Sequence, residues 1–286
     1  MEEIIIQKND ANQRLDKYLM KTFPNLSKSM MYKAIRNKKI KVNRKRAEFN
    51  QILNEEDHLL LFLPPDVLVK KERAILEQKE LDVVYEDKNY IVVNKEYGLL
   101  SQSDSNENQD CLVNRIQSYL YHNHEYDPEK ENSFAPAICN RLDRNTTGLV
   151  IAAKNAQALR KMNEDIASHR VHKYYRAWCD GIIQKDGMIT CYIKKENTKA
   201  LVSKTEKEGY KQAILKYKVI DHREHETKVD IELCTGRFHQ IRASFSYIGH
   251  PLIGDVKYGY RGNKKQISLQ AYKLKFDNDL PDIMIK

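Results

Sequence analysis

The sequence predicts an α+β protein in two parts: a small N-terminal α/β module and a larger mixed domain. Three observations predict it. A chain of 286 residues exceeds one domain of about 100 to 200 residues. Its first stretch carries two short helical stripes followed by strand-like pairs. From Leu81 onward β-like runs outnumber helices and do not alternate with them one for one, so a doubly wound parallel sheet is not indicated. The expected boundaries are 1–65 for the module, 66–80 for a linker and 81–286 for the large domain.

The elements follow from local pattern. Leu15, Leu19 and Phe23 recur at helical spacing, and Ser27 is placed to cap a second helix carrying Met30, Met31, Ala34 and Ile35. Ile40 and Val42 alternate with Lys41 and Asn43 as a short strand, and Leu59 to Leu63 gives another before Pro64 and Pro65 stop it. Val67 to Lys79 is charged and reads as a linker. Leu81 to Tyr85 and Tyr90 to Asn94 predict a pair of strands, Ser101 to Asp110 is polar, and Leu112, Ile116 and Leu120 predict a helix. His122 to Ser133 reads as a surface loop. Gly148 to Ala153 predicts a buried strand and Leu159, Met162 and Ile166 a helix. Further strands are expected at Tyr174 to Cys179, Met188 to Ile193, Ala213 to Ile220 and Val229 to Cys234.

Charge is concentrated. The chain carries a net +9, and the segment from Lys28 to Glu48 alone holds nine basic residues and one acidic, leaving it +8. A solvated face does not ask for one sign so exclusively, so this patch predicts binding to a polyanion, RNA or DNA. Several classes are excluded. No apolar run approaches the roughly 18 residues of a spanning helix, and the N-terminus lacks the order of a signal peptide. Five scattered cysteines without a C-x-x-C pair point to reduced thiols and a cytoplasmic setting. The two H-x-x-H spacings, at His169/His172 and His222/His225, stand beside no paired cysteine, so no metal site is expected. With 10 glycines and neither phosphate-loop pattern, no nucleotide cofactor is expected.

Three constellations carry chemistry. Asn140-Arg141-Leu142-Asp143-Arg144-Asn145-Thr146-Thr147-Gly148 places one carboxylate between two guanidinium groups in a turn leading into a buried strand. A lone R-x-D is more often a surface ion pair; the whole string makes the difference. In Thr235-Gly236-Arg237-Phe238-His239-Gln240-Ile241-Arg242, the spacing of Phe238, Ile241, Phe245 and Ile248 predicts a buried helical stripe. His239, Arg242 and Ser246 then share another face, with Arg242 pointing out of the core. In Lys173-Tyr174-Tyr175-Arg176-Ala177, alternation puts Lys173, Tyr175 and Ala177 on one side of a strand.

Two resemblances attach to these residues. Residues 13 to 62 resemble the alpha-L RNA-binding motif of ribosomal proteins and RNA-modifying enzymes, through Gln13-Arg14-Leu15-Asp16, Leu26-Ser27-Lys28-Ser29 and Lys33 to Asn43. This implies RNA contacts by Arg14, Ser27, Lys28, Lys33, Arg36, Lys38, Lys39, Lys41, Asn43 and Arg44. Residues 13 to 275 resemble the RluA family of pseudouridine synthases, closest to members that act on large-subunit ribosomal RNA. The match runs from Val83 to Lys95 and Gly98 to Ser101 through R-L-D-R-x-T-x-G, Lys173-x-Tyr175-x-Ala177 and T-G-R-x-H-Q-I-R. It ends with Gly249 to Asp255, Tyr258-Gly259 and Leu269-Gln270-Ala271.

The resemblance implies a mainly antiparallel bifurcated sheet, a monomer and a reaction without cofactor. It implies Asp143 as the essential carboxylate, Arg242 as its partner and Tyr175 stacked on the target base. Arg141 would fill the gap left by the flipped uridine, Lys95, also a substrate-binding candidate, would support the RNA or the pocket, and Lys173 would support substrate. Asn140, Glu96 and Ser244 stand where the family usually has His, Pro and His. The alternatives are a transfer RNA pseudouridine synthase or a non-catalytic RNA-binding assembly factor.

Overall fold

The structure, a computed structural model, describes residues 1–71, 75–103 and 109–285. Parts of the expected linker and of the polar stretch 101–110 lie outside these residues. The chain forms two compact units. One comprises Met1–Lys79 with Asn114–Ala137 and Ala153–Arg160, and the other Glu80–Val113 and Ile138–Ala152 with Lys161–Lys286.

The first unit contains β1 (Glu2–Ile5), β2 (Gln13–Arg14), α1 (Leu15–Thr22), α2 (Lys28–Arg36), β3 (Ile40–Val42), β4 (Lys45–Arg46), β5 (Ile52–Leu53) and β6 (His58–Leu61). A four-stranded sheet runs β1-β6-β3-β4, while β2 pairs with β5. Leu15, Leu19, Phe23, Leu26, Met31, Ile40, Leu59 and Leu61 share one core, and Val67 and Leu68 also belong to it. Burying this set is the main source of stability for so small a unit. Met30, expected inside, is 41% exposed, because it falls a third of a turn from the Met31, Ala34 and Ile35 stripe. The stretch 122–133, expected as a surface loop, includes the buried Tyr126, and Ser133 donates through Oγ and its backbone N–H to the buried Asp10.

Two of the passages of the chain between the units fall within helices, α3 (Leu112–His122) and α4 (Ala156–Ala167). The second unit is built on one large sheet. Its strands are β7 (Val83–Glu86), β8 (Tyr90–Lys95), β9 (Ala137–Ile138), β10 (Thr147–Ala153), β11 (Val171–Asp180), β12 (Gly187–Glu196), β13 (Lys199–Ser203), β14 (Lys211–Arg223), β15 (Glu226–Leu233), β16 (Leu269–Phe276) and β17 (Ile283–Met284). The main path is β13-β12-β14-β15-β11-β16-β10-β8-β7. Pairing is antiparallel from β13 through β16, whereas β16 and β10 are parallel. One further helix, α5 (Gln240–Tyr247), precedes a 3-10 turn at Val256–Tyr258.

Two features of this sheet align the strands that flank the carboxylate. In β16, Tyr272 is an extra residue: Tyr174 pairs with Lys273, but Tyr175 pairs with Ala271. Ala271 also pairs with Gly148 on β10. Gly148 has φ +112° and lies against the Ala271 backbone, where a Cβ would collide, so a glycine is required. Tyr175 and the start of β10 are thereby registered to one residue.

Candidate active site

Asp143 sits in the turn before β10, and its neighbours on both sides are fastened to the segment after β8. Ser101 Oγ donates to Leu142 O at 2.7 Å and accepts from Leu142 N at 3.1 Å. On the other side, Arg144 O accepts from Lys95 Nζ at 3.1 Å and from Gly98 N at 3.0 Å, while Arg144 Nε donates to Gly98 O. The turn closes on itself through Thr146 N to Asp143 O. Lys95 is 1% exposed and donates as well to Glu96 O and Leu99 O, both at 2.8 Å. Burial lowers its pKa to about 8, against the pull of Asp143 and Glu96. All three Lys95 ammonium protons are committed to backbone carbonyls, so of the two roles expected of it, supporting the RNA or the pocket, the contacts here are those of a residue that holds the loop.

Arg242 lies on α5. Its Nη1 donates to Asp143 Oδ2 at 3.2 Å, while Nε and Nη2 grip Asp255 at 2.7 and 2.9 Å. The expectation that Arg242 points out of the core fails, since it is 6% exposed. The polar face of α5 is covered by residues 255–258: Arg242 meets Asp255, and Ser246 Oγ donates to Tyr258 O at 2.6 Å. Burial alone would lower the guanidinium pKa, but its hydrogen bonds and the charges of Asp255 and Asp143 raise it.

His239 precedes α5 with φ +51°, and its left-handed backbone breaks the helical spacing predicted from Phe238. Phe238 therefore leaves the buried stripe and stacks on the His239 ring, with centroids 3.8 Å apart. His239 Nε2 lies 3.7 Å from Asp143 Oδ2, and Nδ1 is 2.9 Å from the Tyr258 hydroxyl. That hydroxyl also accepts from Ala200 N at 2.7 Å, which fixes it beside the imidazole. Burial, followed by the neighbouring Arg242 and Lys257 charges, lowers the His239 pKa to about 4 despite Asp143. Tyr175 is buried at 6% exposure, and burial together with the Asp143 charge raises its phenol pKa, keeping it protonated.

The two long sequence strings are explained by these contacts. Gln240 Oε1 accepts from Thr235 Oγ1 and Arg237 N, and its Nε2 donates to Ile214 O, tying the start of α5 to β14. Asn140 Oδ1 accepts from Ile151 N and so braces β10. Ser244 is buried against Cys191, not at Asp143. Arg141 is exposed, and burial lowers the Lys173 pKa. Sequence reasoning assigned no role to Asp255, Tyr258 or Ser101; their only signal was membership of the longer resemblance.

In the first unit, Lys28, Lys33, Arg36, Lys38, Lys39 and Arg44 are exposed and Lys41 is partly so. Three other expected RNA contacts are occupied by the fold. Ser27 Oγ accepts from Met30 N as the cap of α2. Asn43 bonds Asp57 and His58 and, with Arg44, takes positive φ in the tight turn between β3 and β4. Arg14 pairs with Asp16 at 2.7 Å.

A buried arginine thus bridges two carboxylates, one of them on a clamped loop whose charge reaches a buried tyrosine, in a chain that also carries a basic module. Residues 89–247 match the family described as RNA pseudouridylate synthase, and residues 13–59 match the S4 domain. The chain belongs to the RNA pseudouridylate synthase family. Among its relatives, an uncharacterized RNA pseudouridine synthase of Mycoplasma capricolum subsp. capricolum is 34% identical, over 96% of this chain and 92% of that protein. The ribosomal large subunit pseudouridine synthase D of Haemophilus influenzae is 31% identical, over 90% of this chain and 76% of that protein. The solved structure of human RNA pseudouridylate synthase domain containing 1 shares the fold, with TM-score 0.57, 24% identity and coverage of 72% of this chain and 82% of that one. Among the described residues, no helix is long and apolar enough to cross a membrane.

Proposed function

We propose that this RNA pseudouridine synthase acts on large-subunit ribosomal RNA in the cytoplasm, as a monomer, with Asp143 as its reacting carboxylate. The observation that carries the site assignment is Asp143 Oδ2 held 3.2 Å from the buried Arg242 guanidinium on a loop fastened on both sides. The ribosomal target is supported by the name of the Haemophilus influenzae relative and by the S4 match.

In the proposed course the target uridine leaves its helix and Arg141 fills the gap, because C1′ cannot be reached within a stack. Asp143 either attacks C1′ or removes the C2′ proton, and in both routes the bond from C1′ to N1 breaks. The uracil turns and its C5 bonds to C1′, displacing the Asp143 carboxylate in the first route or with Asp143 returning the proton to C2′ in the second; the C5 proton is then lost and N1 gains one. Arg242 holds the carboxylate where positive charge develops on the sugar. Tyr175, a neutral phenol, stacks on the detached base, and Lys173 supports the substrate. The exposed cations of the N-terminal module dock the RNA through its phosphates.

The test is tritium release from RNA labelled at uridine C5. Release from large-subunit ribosomal RNA and not from transfer RNA is expected. Release from transfer RNA alone would move the substrate assignment, and tight binding without release from either would favour an assembly factor.

A further inference from the structure

Arginines flank Asp143 on both sides in the sequence, and the proposed course uses only Arg141. Arg144 is exposed, yet it is held at three points. Its carbonyl accepts from Lys95 Nζ at 3.1 Å and from Gly98 N at 3.0 Å, and its Nε donates to Gly98 O at 2.9 Å. Gly98 has φ +82°, a left-handed conformation that suits glycine, so the carbonyl that seats the guanidinium is itself aimed by a turn. The group is anchored at Nε and open beyond it. Among the described residues, neither Nη atom of Arg144 has an acceptor and no carboxylate lies within ion-pair distance; the oxygens of Asp143 meet Arg242 and His239 instead. A surface arginine ordinarily swings freely. Because the guanidinium is planar, fixing Nε leaves the two Nη atoms as an oriented fork, the shape that takes two non-bridging oxygens of a phosphodiester.

We propose that Arg144 clamps a phosphodiester adjoining the target uridine. This rests on the synthase reading of Asp143. Consecutive Cα atoms are about 3.8 Å apart, so fork and carboxylate project from neighbouring points of one closed turn. A nucleotide whose C1′ meets Asp143 carries a phosphodiester on each side of that same ribose, and these are the anions nearest to residue 144. Charge points the same way. An uncompensated cation beside Asp143 opposes the positive charge that develops on the sugar, whereas Arg242 is already countered by Asp255. A phosphodiester on Arg144 removes that conflict. The contact reads no sequence; it fixes the backbone of the extruded nucleotide against the loop while its base turns.

Stem-loops of large-subunit ribosomal RNA with one loop uridine, carrying a single neutral methylphosphonate on its 5′ or its 3′ side, test this with the full-length protein. Wild type should bind one of the two about tenfold more weakly than the unmodified RNA. Arg144→Gln should lose the same factor on unmodified RNA, lose nothing further on that methylphosphonate, and show a salt slope smaller by about one. Arg144→Lys, which keeps the charge without the fork, should fall between them. Equal binding of all three RNAs by wild type would overturn the proposal. So would a loss by Arg144→Gln as large on the neutral linkage as on the native one, which with a lowered melting temperature would make Arg144 a tie within the loop and nothing more. Sensitivity to one linkage without tritium release from any RNA would leave the clamp standing and sink the catalytic reading, so the two failures are distinguishable.

Discussion

The loop around Asp143 and the basic face of the N-terminal module, the two regions the proposed reading assigns to RNA, are built in opposite ways. At the first, Lys95 and Arg242 are buried with fixed partners, Lys95 with three carbonyls and Arg242 with two carboxylates, while Arg141 and Arg144 of the loop itself stand exposed. At the second, the lysines and arginines stand exposed over a core of Leu, Ile and Phe. Buried charges cost several kcal/mol each to desolvate unless every proton finds an acceptor, so the catalytic cluster is rigid and intolerant of loss. Exposed cations are cheap to hold and easy to replace; their effect is additive and screened by salt. Precision at one atom is thus separated from grip on a long backbone.

Breaking this comparison should start at the carboxylate. Asp143→Asn is expected to cut tritium release by at least about 10³-fold without unfolding the protein, because the charge, not the shape, is removed. Asp255→Asn should lower unfolding free energy by about 3 kcal/mol in a urea titration, since half of the Arg242 guanidinium then loses its counter-charge in the interior. His239 sharpens the contrast through pH. Its folded pKa near 4 lies below the ordinary 6.5, so the unfolded chain binds the extra proton first as pH falls. Stability should drop by about 2 to 3 kcal/mol between pH 6.5 and 4, and melts of His239→Gln should show a correspondingly shallower loss.

Effects at the exposed face should be smaller and of another kind. Reversing Lys38, Lys39 and Lys41 to glutamate should weaken RNA binding about tenfold or more and reduce the salt slope by about three, leaving the melting temperature unchanged. Smallest of all, Ser27→Ala should cost about 1 kcal/mol of stability through the lost cap of α2 while leaving RNA affinity at high salt unaltered. A stability loss from the lysine reversals would erase the distinction between the two regions.

The sequence made the helices and most strands legible because their apolar periodicity is regular, and it made Asp143, Tyr175 and Arg242 legible through strings of fixed order. What it hid has physical causes. Strand β16 lost its alternation because the extra Tyr272 shifts the phase, so Leu269 and Ala271 face inward on one count and Leu274 and Phe276 on another. The direction of Arg242 was misread because Asp255, thirteen residues away, covers a helix face that local spacing leaves open. Phe238 was misread as core because no periodicity anticipates a left-handed histidine. The partners of Lys95 were hidden because they are carbonyls, which leave no trace in sequence.

The extra residue in β16 also acts as a frame marker. Along β11 the chain advances by one residue from Tyr174 to Tyr175, while its partner advances by two. Removing Tyr272 would give an even ladder with Ala271 still opposite Tyr175 and Lys273 still opposite Tyr174, whereas a residue added there would slide one side of the strand by a step, and one step in a pleated strand exchanges its two faces. Either Ala271 would leave its place beside Gly148 or the buried Leu274 and Phe276 would turn to water. The middle of this sheet thus keeps count for the turn that carries Asp143.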